Sequence, residues 1–338
     1  MDKQKLEMLR KQFANASAFD IFDPALKKIA DGLLDGELDA SGRRKVPFSG
    51  VSTLLGAPYR ESFDELDVAL VGVPMDLGVT NRSGARYGPR AIRGIDRIGP
   101  YNEQLGIAPK ATIRYADVGD SPIHRFSLEK SMHEIEQFYH RIIDAGVRPL
   151  SAGGDHSITY PILKAVGRDA PVACVHIDAH CDTSGEFDDT KFHHGGPFRS
   201  AVLDGVLDPE RTIQIGIRGT SEIRWEFSYA SGMTVLHIHD CMEMGIKAIV
   251  EKARQVVGDA PTYVSIDVDG FDPTYAPGTG TPEVGGLTPR EGQQILRGLR
   301  GINVVGGDVV EVAPQYDPTT NTALLGAQLM FEVLCLMA

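Results

Sequence analysis

Val172-Ala-Cys-Val-His-Ile-Asp-Ala-His-Cys-Asp182 decides the fold. Its first six residues are apolar apart from His176, the length of one buried strand. Its last five carry acids and an imidazole. In an extended chain, alternate side chains share a face. Asp178, His180 and Asp182 would then point the same way, with His176 further back and Cys181 on the opposite face. Such a cluster at the end of a buried strand is costly unless a cation neutralises it or hydrogen bonds satisfy it.

Working outward, similar apolar runs occur at 67–73, 147–151, 212–217, 234–238, 262–266 and 304–310. Helix-like segments at 128–145, 158–166, 244–257 and 288–298 separate them. Short apolar strands alternating with helices predict βαβ units. The fold class is therefore α/β, a three-layer α/β/α arrangement around a mostly parallel sheet. No compositional break divides 46–338, which reads as one domain. Residues 1–45 are polar, with Leu6, Leu9 and Phe13 at helical spacing, and predict an N-terminal helical extension. Its stretch 36–45 reads as loop.

Composition narrows the function. Of 338 residues, 42% are hydrophobic and 24% charged, which excludes a disordered, collagenous or coiled-coil chain. The formal charge of -12, without a basic run, makes nucleic acid or an anionic membrane a poor partner. No window reaches the length of a membrane span, and the charged start is unlike a signal peptide. Four cysteines without CxxC spacing suit reduced thiols, so a cytoplasmic location is expected.

More chemistry gathers at other predicted strand ends, where open α/β sheets collect ligand groups. Gly153-Gly-Asp-His-Ser157 places His156 at a strand-to-helix junction. Ser265-Ile-Asp-Val-Asp269 repeats the device, with Asp267 and Asp269 one pleat apart. Two imidazoles and four carboxylates are too many for one tetrahedral zinc and suit two oxygen-preferring metals. Such a pair lowers the pKa of a shared water. His194 or its neighbour His193, in a Gly/Pro-punctuated loop, could move protons beside it. Glu311, on the strand run 309–314, could pair with a structural cation or grip a cationic substrate.

Together these motifs resemble the ureohydrolase (arginase/agmatinase) family. The resemblance rests on GGDHS at 153–157, DAHCD at 178–182, SIDVDGFDP at 265–273, EVAP at 311–314 and NRSGARYGPR at 81–90. It runs from about Phe48 to the end and is closest to agmatinase-like guanidino-acid hydrolases. It implies an arginase-like fold, a catalytic domain over 46–338, and a binuclear centre with manganese, or nickel as the alternative. His156, Asp178, Asp182 and Asp267 would hold one ion; His180, Asp178, Asp267 and Asp269 the other. His194 would be the proton-shuttling histidine and Glu311 the guanidinium-binding glutamate. It also implies a homotrimer or homohexamer, with a hetero-oligomer as the alternative. Cys181, Gly196, Gly270-Phe271 and the long N-terminal region depart from the usual pattern and bear on substrate and metal choice.

The expected reaction is hydrolysis of a small cationic guanidino compound, of agmatine or guanidino-acid type, to urea and an amine. Asp182 would accept a hydrogen bond from the nucleophile, and Asp269 or His194 would protonate the departing amine. Free guanidine, an alkylguanidine or a biguanide is an alternative substrate, with nickel as the possible metal. The acidic loop 183–193 disfavours a carboxylate tail unless Arg82, Arg86 or Arg199 intrudes. A single-zinc acetyl-polyamine amidohydrolase and a non-catalytic partner subunit are further alternatives, both disfavoured by the complete set of six ligands.

Overall fold

A computed structural model describes the chain except residues 18–19, 25, 28–29, 31–45, 47, 97 and 220–224. The predicted loop at 36–45 lies outside the described residues. The chain forms two units, Met1–Val46 and Pro47–Ala338. The first contains α1 (Lys3–Phe13), a helix with no buried residue, on which Leu6 and Leu9 are half-buried, and whose first turn is capped by Asp2.

In the second unit, eight strands form one sheet: β1 (Val68–Val73), β2 (Tyr115–Asp120), β3 (Arg148–Gly153), β4 (Val172–Ile177), β5 (Leu207–Ile217), β6 (Thr234–His237), β7 (Thr262–Asp267) and β8 (Val304–Val310). Their order is β2-β1-β3-β8-β7-β4-β5-β6, and every pairing is parallel. The predicted runs all become strands. β2 escapes the sequence reading because Tyr-Ala-Asp-Val-Gly-Asp mixes two acids and a glycine into an edge strand.

The helices of this unit are α2 (Gly88–Arg93), α3 (Pro109–Thr112), α4 (Leu128–Asp144), α5 (Thr159–Val166), α6 (Pro197–Leu203), α7 (Glu226–Ser231), α8 (Ile238–Val257), α9 (Pro289–Gly298) and α10 (Asn321–Met337). Local chemistry starts them. Ser127 caps α4, and the Thr288-Pro-Arg-Glu291 capping box opens α9. The predicted helix at 244–257 matches the part of α8 beyond Gly245, whose φ of 73° breaks the helix.

Alternating strand residues feed two cores. Leu70, Val175 and Ile177 pack with α8, α9 and α10 on one face. Ala69, Val71 and Cys174 pack with α4, α5 and α6 on the other. Each fully buried Leu or Ile contributes about 1.5–3 kcal/mol. Three layers result, as the strand–helix alternation predicts. Four central neighbours in the sheet, β3, β8, β7 and β4, end side by side, and the next residues in each carry the chemistry.

Candidate metal centre

His156 follows β3 and sits in a short 3-10 turn led by Asp155. Asp178 follows β4, Asp267 closes β7, and Glu311 follows β8. The predicted pleat alternation does not carry past the strands. Beyond Ile177 the chain bends, and Asp182 adopts a φ of 51°. Asp269 lies in the 3-10 turn Val268–Gly270, whose first amide bond is Asp269 N–H to Asp267 Oδ1 at 2.8 Å. Glu311 is one residue beyond β8 with a φ of 64°. Positive φ in two non-glycine residues at one site is backbone strain of the kind held at functional positions. Turns, not pleats, therefore bring these residues together. Gly270 permits the approach, because a Cβ there would come 3.0 Å from the Asp178 amide nitrogen.

His156 Nδ1 faces Asp182 Oδ2 at 2.9 Å, Asp178 Oδ2 at 3.1 Å and Asp267 Oδ2 at 3.4 Å. It is fully buried and, among the described residues, has no hydrogen-bond partner. Beside it, His180 Nδ1 faces Asp269 Oδ2 at 3.1 Å and Asp178 Oδ1 at 3.5 Å. Asp178 thus presents one oxygen to each imidazole. Three carboxylates converging on one bare nitrogen are a cation's ligand set, and the cluster of Asp178, His180 and Asp269 could hold another ion.

The electrostatics agree. Burial and the neighbouring Asp269 and Asp178 hold the Asp267 carboxyl well above the usual range. Burial and Asp178 lift Asp269 to about 6. Burial pushes the His156 ring down, but Asp178, Asp182 and Asp267 outweigh it and pull the ring well up toward the protonated form. So much buried negative charge calls for protons or for divalent cations.

The arginase-family model matches residues 66–336. The chain belongs to the arginase family. It is 48% identical to the guanidinopropionase of Pseudomonas aeruginosa over 295 residues, covering 86% of this chain and 93% of that protein. It is 47% identical to the mitochondrial agmatinase of Gallus gallus over 292 residues, covering 85% and 86%. Among solved structures, the proclavaminate amidino hydrolase of Streptomyces clavuligerus superposes with a TM-score of 0.84 at 34% identity, covering 87% of this chain and 99% of that one. The resemblance read from the motifs and the arginase-like fold are both borne out. No helix among the described residues is long and apolar enough to cross a membrane.

This arginase-family pocket, about 210 Å³, is lined by His180, Asp182, Asp267, Asp269 and His194 together with Thr80, Ser184, Phe187, Gly195 and Thr281. Of the two candidate histidines, His194 lines it, while His193 lies in the adjoining loop with Nε2 2.7 Å from the Gly185 carbonyl. Thr80 donates its amide to His194 Nε2 at 3.1 Å, so in the neutral ring the proton sits on Nδ1, 2.9 Å from Glu311 Oε1. Burial lowers the His194 ring's basicity, but Glu311 outweighs it and lifts the ring to about 9. Glu311 Oε1 also takes the His156 amide at 3.0 Å, leaving the buried Oε2 without a hydrogen-bond partner.

Several residues that the motifs did not single out hold the centre. Gln214 Nε2 donates to the Cys181 carbonyl at 2.6 Å and to His176 Nδ1 at 3.1 Å. His176 must then carry its proton on Nε2, which donates to Asp178 Oδ2 at 2.7 Å. Arg218 donates to the carbonyls of Asp269, Gly270, Phe271, Glu283 and Val284, clamping the Asp269 turn to the next loop. Thr80 and Gln214 carry no local signal, while a conspicuous arginine after a strand could have flagged Arg218. None of the three arginines whose intrusion would have admitted a carboxylate tail lines this pocket. Arg82 binds the Thr279 and Gly280 carbonyls, Arg86 pairs with Asp76, and Arg199 stacks on Phe227. Glu186, Asp188 and Asp189 of the acidic loop face water.

Proposed function

We propose that this protein hydrolyses a small guanidino compound to urea and an amine at a pair of divalent ions. The convergence of three carboxylates on the partnerless Nδ1 of His156 carries this reading. His156, Asp178, Asp182 and Asp267 would hold one ion; His180, Asp178, Asp267 and Asp269 the other. The oxygen-rich set suits manganese, with nickel as the alternative. When bound, such ions supply Lewis-acid activation of water near neutral pH.

The chain's own residues do the rest. Asp182 takes a hydrogen bond from the attacking water and so orients its oxygen toward the guanidino carbon. Glu311 Oε2, a buried acceptor without a donor, takes a guanidinium N–H. When the C–N bond to the amine breaks, the nitrogen takes a proton from Asp269 or His194. The Thr80 hydroxyl, 2.7 Å from His194 Nε2, can donate to the neutral ring or accept from the charged one, so it serves both states.

Among the described residues no Lys or Arg lines the pocket, which favours a substrate without a carboxylate there: agmatine, an alkylguanidine or a biguanide. A guanidino acid would have to reach an adjoining hollow of about 260 Å³, which shares Ser184 and carries Lys191 and Arg199. The complete ligand set speaks against a non-catalytic partner subunit. A homotrimer or homohexamer in the cytoplasm completes the reading, the location supported by four buried cysteines without CxxC spacing.

The test is urea release by manganese- or nickel-loaded protein from agmatine, guanidinobutyrate, guanidinopropionate, arginine, guanidine and dimethylbiguanide, with the bound metal counted. Two bound ions and no urea from any of these would refute the reading.

A further inference from the structure

Asp308 lies within β8, is 0% exposed, and forms no ion pair among the described residues. Three hydroxyls solvate it instead. Thr159 Oγ1 and Tyr263 OH donate to Oδ2 at 2.7 and 2.8 Å, and Ser265 Oγ donates to Oδ1 at 2.6 Å. Asp308 is the acceptor in all three bonds, so the Ser265 proton points at Asp308. The lone pairs of Ser265 Oγ are then left for its other neighbour, His156 Nε2, 2.9 Å away. That nitrogen must donate. The chain of bonds places a ring proton on Nε2, so that the proton a metal displaces is the one on Nδ1, the nitrogen that faces Asp178, Asp182 and Asp267.

We propose that Asp308 is a positioning residue for the first metal: through Ser265 it sets the tautomer and orientation of His156 and makes Nδ1 a better ligand. The inference rests on the two-metal reading above. The carboxylate never touches the ion. It acts as an outer partner of a ligating imidazole, relayed by one hydroxyl. The five residues come from β3's following turn, α5, β7 and β8, so the relay also ties the metal ligand to two central strands and the first turn of a helix.

Calorimetric titration of the metal-free full chain with Mn²⁺ tests it, with His180→Asn used to assign the second binding step. Ser265→Ala and Asp308→Asn should each weaken the His156 step by about 10–100-fold and leave the other step unchanged. The double variant should lose no more than the worse single one, because both cut the same chain. Tyr263→Phe, which removes a different donor from Asp308, is the structural control: it should lower the melting temperature without selectively weakening the His156 step. Should Asp308→Asn fail to fold, Ser265→Ala, which deletes one oxygen, decides against that control. Equal weakening of both steps, an unchanged His156 step, or additive losses would overturn the inference. If the wild type binds two ions and Ser265→Ala behaves like it, the relay alone fails. A wild type that binds fewer than two ions overturns the two-metal reading and the relay with it.

Discussion

Glu332 in α10 and the acids beyond β4 and β7 are similarly buried and very differently served. Glu332 receives a bidentate Arg297, with Nε to Oε2 at 2.9 Å and Nη2 to Oε1 at 2.5 Å. Asn102 and Gln328 add donors at 2.7 and 2.9 Å. It is a closed account of charge that pins the 101–107 segment to the helix. Asp178, Asp182, Asp267 and Asp269 have three imidazoles among them, His156, His176 and His180, and among the described residues no guanidinium on their carboxylate oxygens. The first arrangement is finished by the chain itself. The second is left to protons or, in the proposed reading, to divalent ions. Burial of acids alone says nothing; the unmatched remainder does.

The contrast can be broken by experiment. Asp267→Ala should have the largest effect, abolishing urea release and cutting the metal content below two ions. Retained urea release in that variant would mean that the acids beyond β7 are merely structural. His194→Ala should next lower kcat by about 10²–10⁴-fold while the metal content stays at two, since in the proposed reaction His194 handles protons and not ions.

The two acid groups should then respond to neutralisation with opposite sign. Arg297→Ala leaves Glu332 uncompensated and should destabilise the fold by about 3 kcal/mol in urea melts. Asp269→Asn should instead stabilise the metal-free protein. The folded pKa of Asp269, about 6, is above its unfolded value of 3.8, so the folded state holds a proton that the unfolded state has lost. Wild-type stability therefore falls as pH rises through that window, and the variant escapes the loss. Its advantage should approach about 3 kcal/mol above pH 6 and vanish below pH 4. Added manganese should reverse the order. The smallest effect belongs to Thr80→Val, which removes one hydroxyl from His194. A kcat loss of about fivefold, corresponding to about 1 kcal/mol, is expected, with no change in metal content.

Much of the fold was legible because each buried strand is a short apolar run between helices. The edge strand β2 was not, since a half-solvated edge need not look apolar. All six expected metal ligands and His194 converge, yet the reason first given for their convergence was wrong in detail. Alternation along a pleat applies only inside the strand, and the acids sit just beyond it, where Asp182 turns through positive φ and Asp269 rides a 3-10 turn. Glu311 was placed on a strand and is found past its end, which frees it from the ladder and lets it meet both His156 and His194.

The sequence by itself determined which chemistry was available: imidazoles and acids at the ends of βαβ strands, in a spacing that few other functions would need. Only the tertiary structure decided where each proton lies. Ser265 and Asp308 stand 109 and 152 positions from His156, and Gln214 stands 38 from His176. Hydrogen-bond direction is a property of neighbours in space, set by which atom can only accept and which can only donate, and a linear order of residues carries no record of it.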